Sequence, residues 1–103
     1  MDFLSARPCT GNSYVVYPAQ IYNLPLEDCG KVFGRKGYQV RGAGLMVDVV
    51  IDGSVCTLYR TGRLLINPCS DRETAVQTAT RLFSVLEGDR KVGRLLRIGG
   101  EGL

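Results

Sequence analysis

At 103 residues the chain is long enough for one domain with one modest core. It is 45% hydrophobic and 22% charged, an ordinary globular composition, and no apolar run approaches the ~20 residues that a membrane-spanning helix needs. Thirteen Lys+Arg against ten Asp+Glu give a formal charge of +3, which permits contact with a polyanion but does not argue for it.

The start, Met1-Asp2-Phe3-Leu4, carries no basic segment followed by a long apolar stretch. No secretory leader is therefore expected, and the chain reads as cytoplasmic. Residues 1–11, with Pro8 and Gly11, read as an irregular lead-in. From Ser13, "SYVVYPAQIYN" is rich in β-branched and aromatic residues and predicts a strand. Pro18 removes one ladder donor, so this strand lies at an edge or is bulged there. "LPLEDCGKVFG" predicts a short helix. Pro25 suits its first position, Glu27 and Asp28 complement its dipole, and Leu26, Cys29, Val32 and Phe33 make its apolar stripe. Gly34 is placed to end it.

"RKGYQVRGAG" reads as a basic, glycine-punctuated connection. "LMVDVVIDGSVCTLYRTGRLLIN" then predicts three antiparallel strands, with turns at Asp52-Gly53 and Thr61-Gly62. Alternation puts Val47, Val49, Ile51, Cys56, Leu58, Leu64 and Ile66 on one apolar face. The mixed opposite face takes Met46, Asp48, Val50, Thr57, Tyr59, Arg63, Leu65 and Asn67. Such a sheet is covered by helices on one side only. Ser70-x-x-Glu73 reads as a capping box that opens a long helix. Its stripe is Val76, Ala79, Leu82, Phe83 and Leu86, and Gly88 ends it. The tail, residues 89–103, is basic through Arg90, Lys91, Arg94 and Arg97 and contains several glycines. It reads as a frayed end or as a short strand near Leu95–Ile98. One domain, 1–103, with its core in about 12–88, is the expected organisation.

Chemistry-bearing constellations are sparse. Cys9, Cys29, Cys56 and Cys69 include no C-x-x-C pair, and histidine is absent. The cysteines read as small buried hydrophobes rather than zinc ligands, and no metal or cofactor is expected. The commonest general base is missing. Glu27-Asp28 is accounted for by the helix dipole, no P-loop or G-x-S-x-G pattern occurs, and Gly42-x-Gly44 opens no helix. A non-enzymatic protein is expected.

The stretch "CTLYRTGRLLINPCSDRETA" resembles the conserved stretch of one half-repeat of TATA-binding protein. Tyr59 stands at that family's strand-end aromatic, Gly62-Arg63 at its Gly-Lys, and Ser70–Glu73 at its helix start. The order of strand, helix, three strands and long helix matches over roughly residues 12–88. The resemblance implies an α+β fold, a curved antiparallel sheet of about four strands with two helices on one face. It also implies binding on the open face, through Met46, Asp48, Val50, Thr57, Tyr59, Arg63, Leu65 and Asn67. The chain departs from the family in three ways. "RGAGLM" has no phenylalanine wedge, Asp48 brings a carboxylate to the face, and the chain holds one half rather than two. A homodimer would rebuild the two-part saddle.

"VFGRKGYQV" is similar to the G-x-x-G segment of a KH domain. That likeness implies phosphate contacts from Gly34, Arg35, Lys36 and Gly37, with Arg41 beyond them. The glycine-rich residues after Gly37 do not supply the helix that a KH domain places there. The expected function is an interaction module whose partner is a protein or a second copy of itself, with no role at a membrane. The alternative is nucleic acid: duplex DNA on the open face of a homodimer, or single strands at the basic loop.

Overall fold

The computed structural model describes residues 3–9, 11–42 and 44–101, excluding the side chains of 3, 4 and 97–101. Met1, Asp2, Thr10, Ala43, Gly102 and Leu103 lie outside the described residues, and with them the extremes of the sequence-read lead-in and tail. In chain order the elements are β1 (Phe3–Cys9), β2 (Ser13–Pro18), α1 (Leu26–Arg35), β3 (Gln39–Arg41), β4 (Met46–Ile51), β5 (Ser54–Tyr59), β6 (Leu64–Asn67), α2 (Arg72–Glu87) and α3 (Arg90–Glu101). The strands form one antiparallel sheet in the order β1-β2-β6-β5-β4-β3.

The fold is α+β, with six strands and three helices among the described residues rather than about four and two. The lead-in is not irregular: it is β1, paired with β2. Pro8 is tolerated because β1 is an edge, where a missing N–H need break no ladder bond. Pro18 closes β2, which is an inner strand, and the register beside it shifts between Phe3 and Ser5. The basic connection contains β3, three residues between glycines with φ of +93° at Gly37 and +86° at Gly42. The β4–β5 turn needs both of its residues in the left-handed region, Asp52 at φ +49° and Gly53 at +81°, which the Asp-Gly pair supplies.

Helix α1 starts after Pro25 and runs past Gly34 to Arg35. Its end is built by Gly37. The Gly37 N–H donates to Gly34 O and the Tyr38 N–H to Phe33 O, both at 3.1 Å. The Tyr38 ring meets Phe33 edge-on at 6.2 Å between centroids. Crossed carbonyl bonds with an apolar clasp make a Schellman ending. Helix α2 is capped by Asp71, not Ser70. Asp71 Oδ1 accepts from the Thr74 N–H at 2.7 Å and Oδ2 from the Thr74 hydroxyl at 2.9 Å. A carboxylate that takes both donors of one residue outcompetes the neighbouring serine. The helix buries Ala75, Ala79, Leu82, Phe83 and Leu86, with Val76 at the flank.

The described part of the tail is helix α3 rather than a strand. Asp89 caps it by accepting from the N–H groups of Lys91 (3.1 Å) and Val92 (2.9 Å). Val92 and Leu96 are buried. Gly93 lets the helix approach α2, because a Cβ there would stand 2.3 Å from Glu87 O. The core lies between the sheet and the helices. Val16, Val47, Val49, Cys56, Leu58, Leu64 and Ile66 face α1 and α2, which contribute Cys29, Val32, Phe33, Leu82 and Leu86 among others.

Candidate functional site

Strand alternation decides what the other face presents. Met46 and Val55 are 40% and 41% exposed, while their inward neighbours Val47 and Cys56 are 1% and 0% exposed. The register assembles the outward residues into rows. One row, Arg7, Val15, Leu65, Thr57, Asp48 and Arg41, crosses all six strands. Near its middle the Thr57 hydroxyl donates to Asp48 Oδ1 at 2.6 Å, which gives the half-buried carboxylate a partner. A second row has Ser5 beside Tyr17 at one end and Tyr59 beside Met46 at the other. Between them the Arg63 guanidinium lies 4.2 Å from the Tyr59 ring centroid, a cation–π contact. A third row runs Gln39, Val50, Val55, Asn67.

The eight residues that alternation assigned to this face, Met46, Asp48, Val50, Thr57, Tyr59, Arg63, Leu65 and Asn67, therefore lie together on it. Sequence reasoning missed Ser5, Arg7, Val15, Tyr17, Gln39, Arg41 and Val55 as members. The signal for Val55 was the same period of two, counted back from Thr57. The signal for Tyr17 and Val15 was the alternation within "SYVVYP", which becomes readable once β2 is known to be an inner strand.

Past Pro18 the chain leaves the sheet and crosses the end of β6. The Tyr22 N–H donates to Thr61 O at 3.0 Å and the Leu24 N–H to Arg60 O at 2.9 Å, which fastens the crossing segment to the β5–β6 turn. The corner enclosed is a groove of about 460 Å³, lined by Arg7, Tyr17, Gln20, Ile21, Thr61 and Arg63 among others.

The basic loop is a different structure from the one its glycines suggest. Gly34 and Arg35 are the last helical turn of α1, and Gly37 supplies the left-handed residue of its ending. Arg35 pairs with Asp89 at 3.1 Å. The Val92 N–H, and then the Lys91 N–H and the Arg35 charge, hold the Asp89 carboxyl below its ordinary range. Arg41 stands across from Asp48 on the open face, away from the other four. The structure thus separates the phosphate-contacting set into a helix cap and a strand residue.

Burial pushes the Cys29 thiol up to about 12, aided by the Asp28 and Asp89 charges. It pushes the Cys56 thiol up to about 12 as well, aided by Cys69 and Asp52. Both are packing groups and not nucleophiles at neutral pH. Among the described residues no group of three His, Cys, Asp or Glu side chains could hold a metal ion, and no helix is long and apolar enough to cross a membrane. No protein-family model matches the chain, and no curated protein or solved structure matches it.

Proposed function

We propose that this protein is a non-enzymatic binding module and that the open sheet face is where it binds, with Met46 at one end of the face and Val55 at the other covered by a partner protein or a second copy of the chain. One observation carries the reading. The helices cover one side of a six-stranded sheet, and on the bare side Met46 and Val55 remain 40% and 41% exposed, at opposite ends of the β4–β5 pair with the Asp48–Thr57 row between them. Single exposed apolar residues are ordinary, but apolar side chains in two rows of a sheet face that no helix covers support a contact surface. A fold similar to one half-repeat of TATA-binding protein is part of this proposal. It is supported by the succession of β2, α1, the β4–β6 meander and α2, and by a sheet with helices on one side.

The test is a double substitution, Met46→Asp with Val55→Asp. Wild type is expected to sediment as more than a monomer or to retain a partner in a pull-down, and the double variant to lose that association while unfolding at the same temperature. A wild type that stays monomeric at high concentration, with any captured protein retained equally by the double variant, rejects the proposal.

A further inference from the structure

The corner groove beside β2 differs in chemistry from the surroundings of Met46 and Val55. Tyr17 stands at its centre. Ser5 is directly across from Tyr17 on β1, with Arg7 two residues further along the strand. On the other side Val16 pairs with Leu64, which brings Arg63 beside Tyr17. Adjacent strands are ~4.8 Å apart, so two guanidinium groups carried on either side of β2 can converge on one small ligand.

Among the described residues neither guanidinium faces a carboxylate, and Arg63 rests on the Tyr59 ring at 4.2 Å, a contact it leaves to reach the groove. Elsewhere Arg35 has Asp89, Arg81 has Asp52 and Lys91 has Asp28, each within 3.1 Å. Among the described residues Arg7 and Arg63 have no ion pair, and no carboxylate lines the groove. Its remaining walls combine flat apolar surface with a few polar groups. Ile21 is 78% exposed beside Pro18 and the Tyr17 ring. Ser5 and Thr61 bring hydroxyls. Gln20 commits its Nε2 to the Tyr22 hydroxyl at 3.1 Å, which leaves its carbonyl oxygen as an acceptor.

We propose that this groove binds a nucleotide, its phosphate held by Arg7 and Arg63 and its base laid against Tyr17 and Ile21. Paired arginines suit the several acceptor oxygens of a phosphate. An aromatic face with neighbouring amide and hydroxyl groups suits a base. The volume of about 460 Å³ falls in the small-ligand range of ~300–1,000 Å³. The inference does not rest on the partner surface proposed above. Its ligand is either a free nucleotide or one residue of a single strand, and the chemistry of the groove is the same for both.

The test is a titration of the ¹⁵N-labelled full chain followed by NMR, with adenosine 5′-monophosphate and an eight-residue oligothymidylate as probes. Saturable shifts are expected at Ser5, Arg7, Tyr17, Ile21, Thr61 and Arg63. Adenosine and inorganic phosphate should each bind at least about tenfold more weakly than the nucleotide, since each lacks one half of the contact. Arg7→Gln and Arg63→Gln should each weaken nucleotide binding about tenfold or more, with Arg7→Lys losing less, because hydrogen bonds to charged groups are the strong ones. Tyr17→Leu should lower affinity for the nucleotide but not for phosphate.

Tighter binding of the oligonucleotide, with shifts spreading to Tyr59 and Met46, assigns the ligand to a strand. Equal binding assigns it to a free nucleotide. Groove signals that stay silent at millimolar concentrations of both probes overturn the proposal. So do shifts centred on Arg90, Lys91 and Arg94, or shifts unchanged in folded Arg7→Gln and Arg63→Gln variants. The single Val55→Asp variant, in a row apart from the groove, should bind adenosine 5′-monophosphate as wild type does, so either proposal can fail alone.

Discussion

Replacing Gly93 by alanine tests whether α3 is an integral part of the fold. The new Cβ would stand 2.3 Å from the carbonyl oxygen of Glu87 and 2.9 Å from its carbon, against the 3.4–4 Å of ordinary contact. Both obstacles are backbone, so one helix must retreat by roughly 1 Å. If α3 shifts and stays docked, the strain is that of an overpacked core, about 1–3 kcal/mol. If α3 detaches, Val92 and Leu96 come out of burial, at ~1.5–3 kcal/mol each. The protein takes the cheaper route, so a loss of ~2 kcal/mol is expected, a large share of the ~5–15 kcal/mol that holds a domain folded. Urea denaturation followed by circular dichroism measures it. Gly88→Ala is the control: Gly88 has φ −74°, and a Cβ there meets Ser84 O and Val85 O at an ordinary 3.5 Å. That variant should stay within ~0.5 kcal/mol of wild type. A Gly93→Ala protein as stable as Gly88→Ala would refute the close approach of Gly93 to the Glu87 backbone.

Acid should loosen the helix starts. Hydrogen bonds from Thr74 hold the Asp71 carboxyl below its ordinary 3.8, and those from Val92 and Lys91 do the same for Asp89. A depressed folded-state value means that their stabilisation is present above pH 3.8 and is lost as pH falls through the lower folded values. Thermal midpoints across acid pH should therefore fall less in an Asp71→Asn, Asp89→Asn protein than in wild type; parallel profiles would count against both caps. Thiol labelling at pH 8 should modify exposed Cys9 quickly and leave Cys29 and Cys56 untouched until urea unfolds the chain. Reaction of either buried thiol at the Cys9 rate would contradict their burial.

What the sequence made legible follows from how many residues carried each signal. The β4–β6 meander repeats its alternation over three strands with a glycine turn between each pair, so register and sidedness could be read together. That reading assembled all eight expected face residues. β3 has three residues, too few for any period to emerge. β1 was hidden by Pro8, whose tolerance depends on an edge position that only the whole sheet reveals. α3 was hidden by its glycines, which lower helix propensity locally, while Gly93 is required for a contact with α2 that no local pattern encodes. The groove was out of reach for the same reason. Arg7, Tyr17 and Arg63 come from three segments, and only the pairing of β2 with both β1 and β6 brings them together.

The pairing of β2 with β6 also sets a constraint on biosynthesis. The β1–β2 hairpin leaves the ribosome before the elements it needs, since its sheet neighbour is β6 and its covering helix is α2. Helix α1, made directly after the hairpin, packs instead on β3 and β4. The middle of the chain can thus assemble from local contacts as it emerges. The hairpin waits with Val16 uncovered, which makes it the segment that nascent-chain chaperones should hold. A chain stalled before α2 would present that strand to other chains, so the arrival of α2 governs whether the hairpin folds or aggregates.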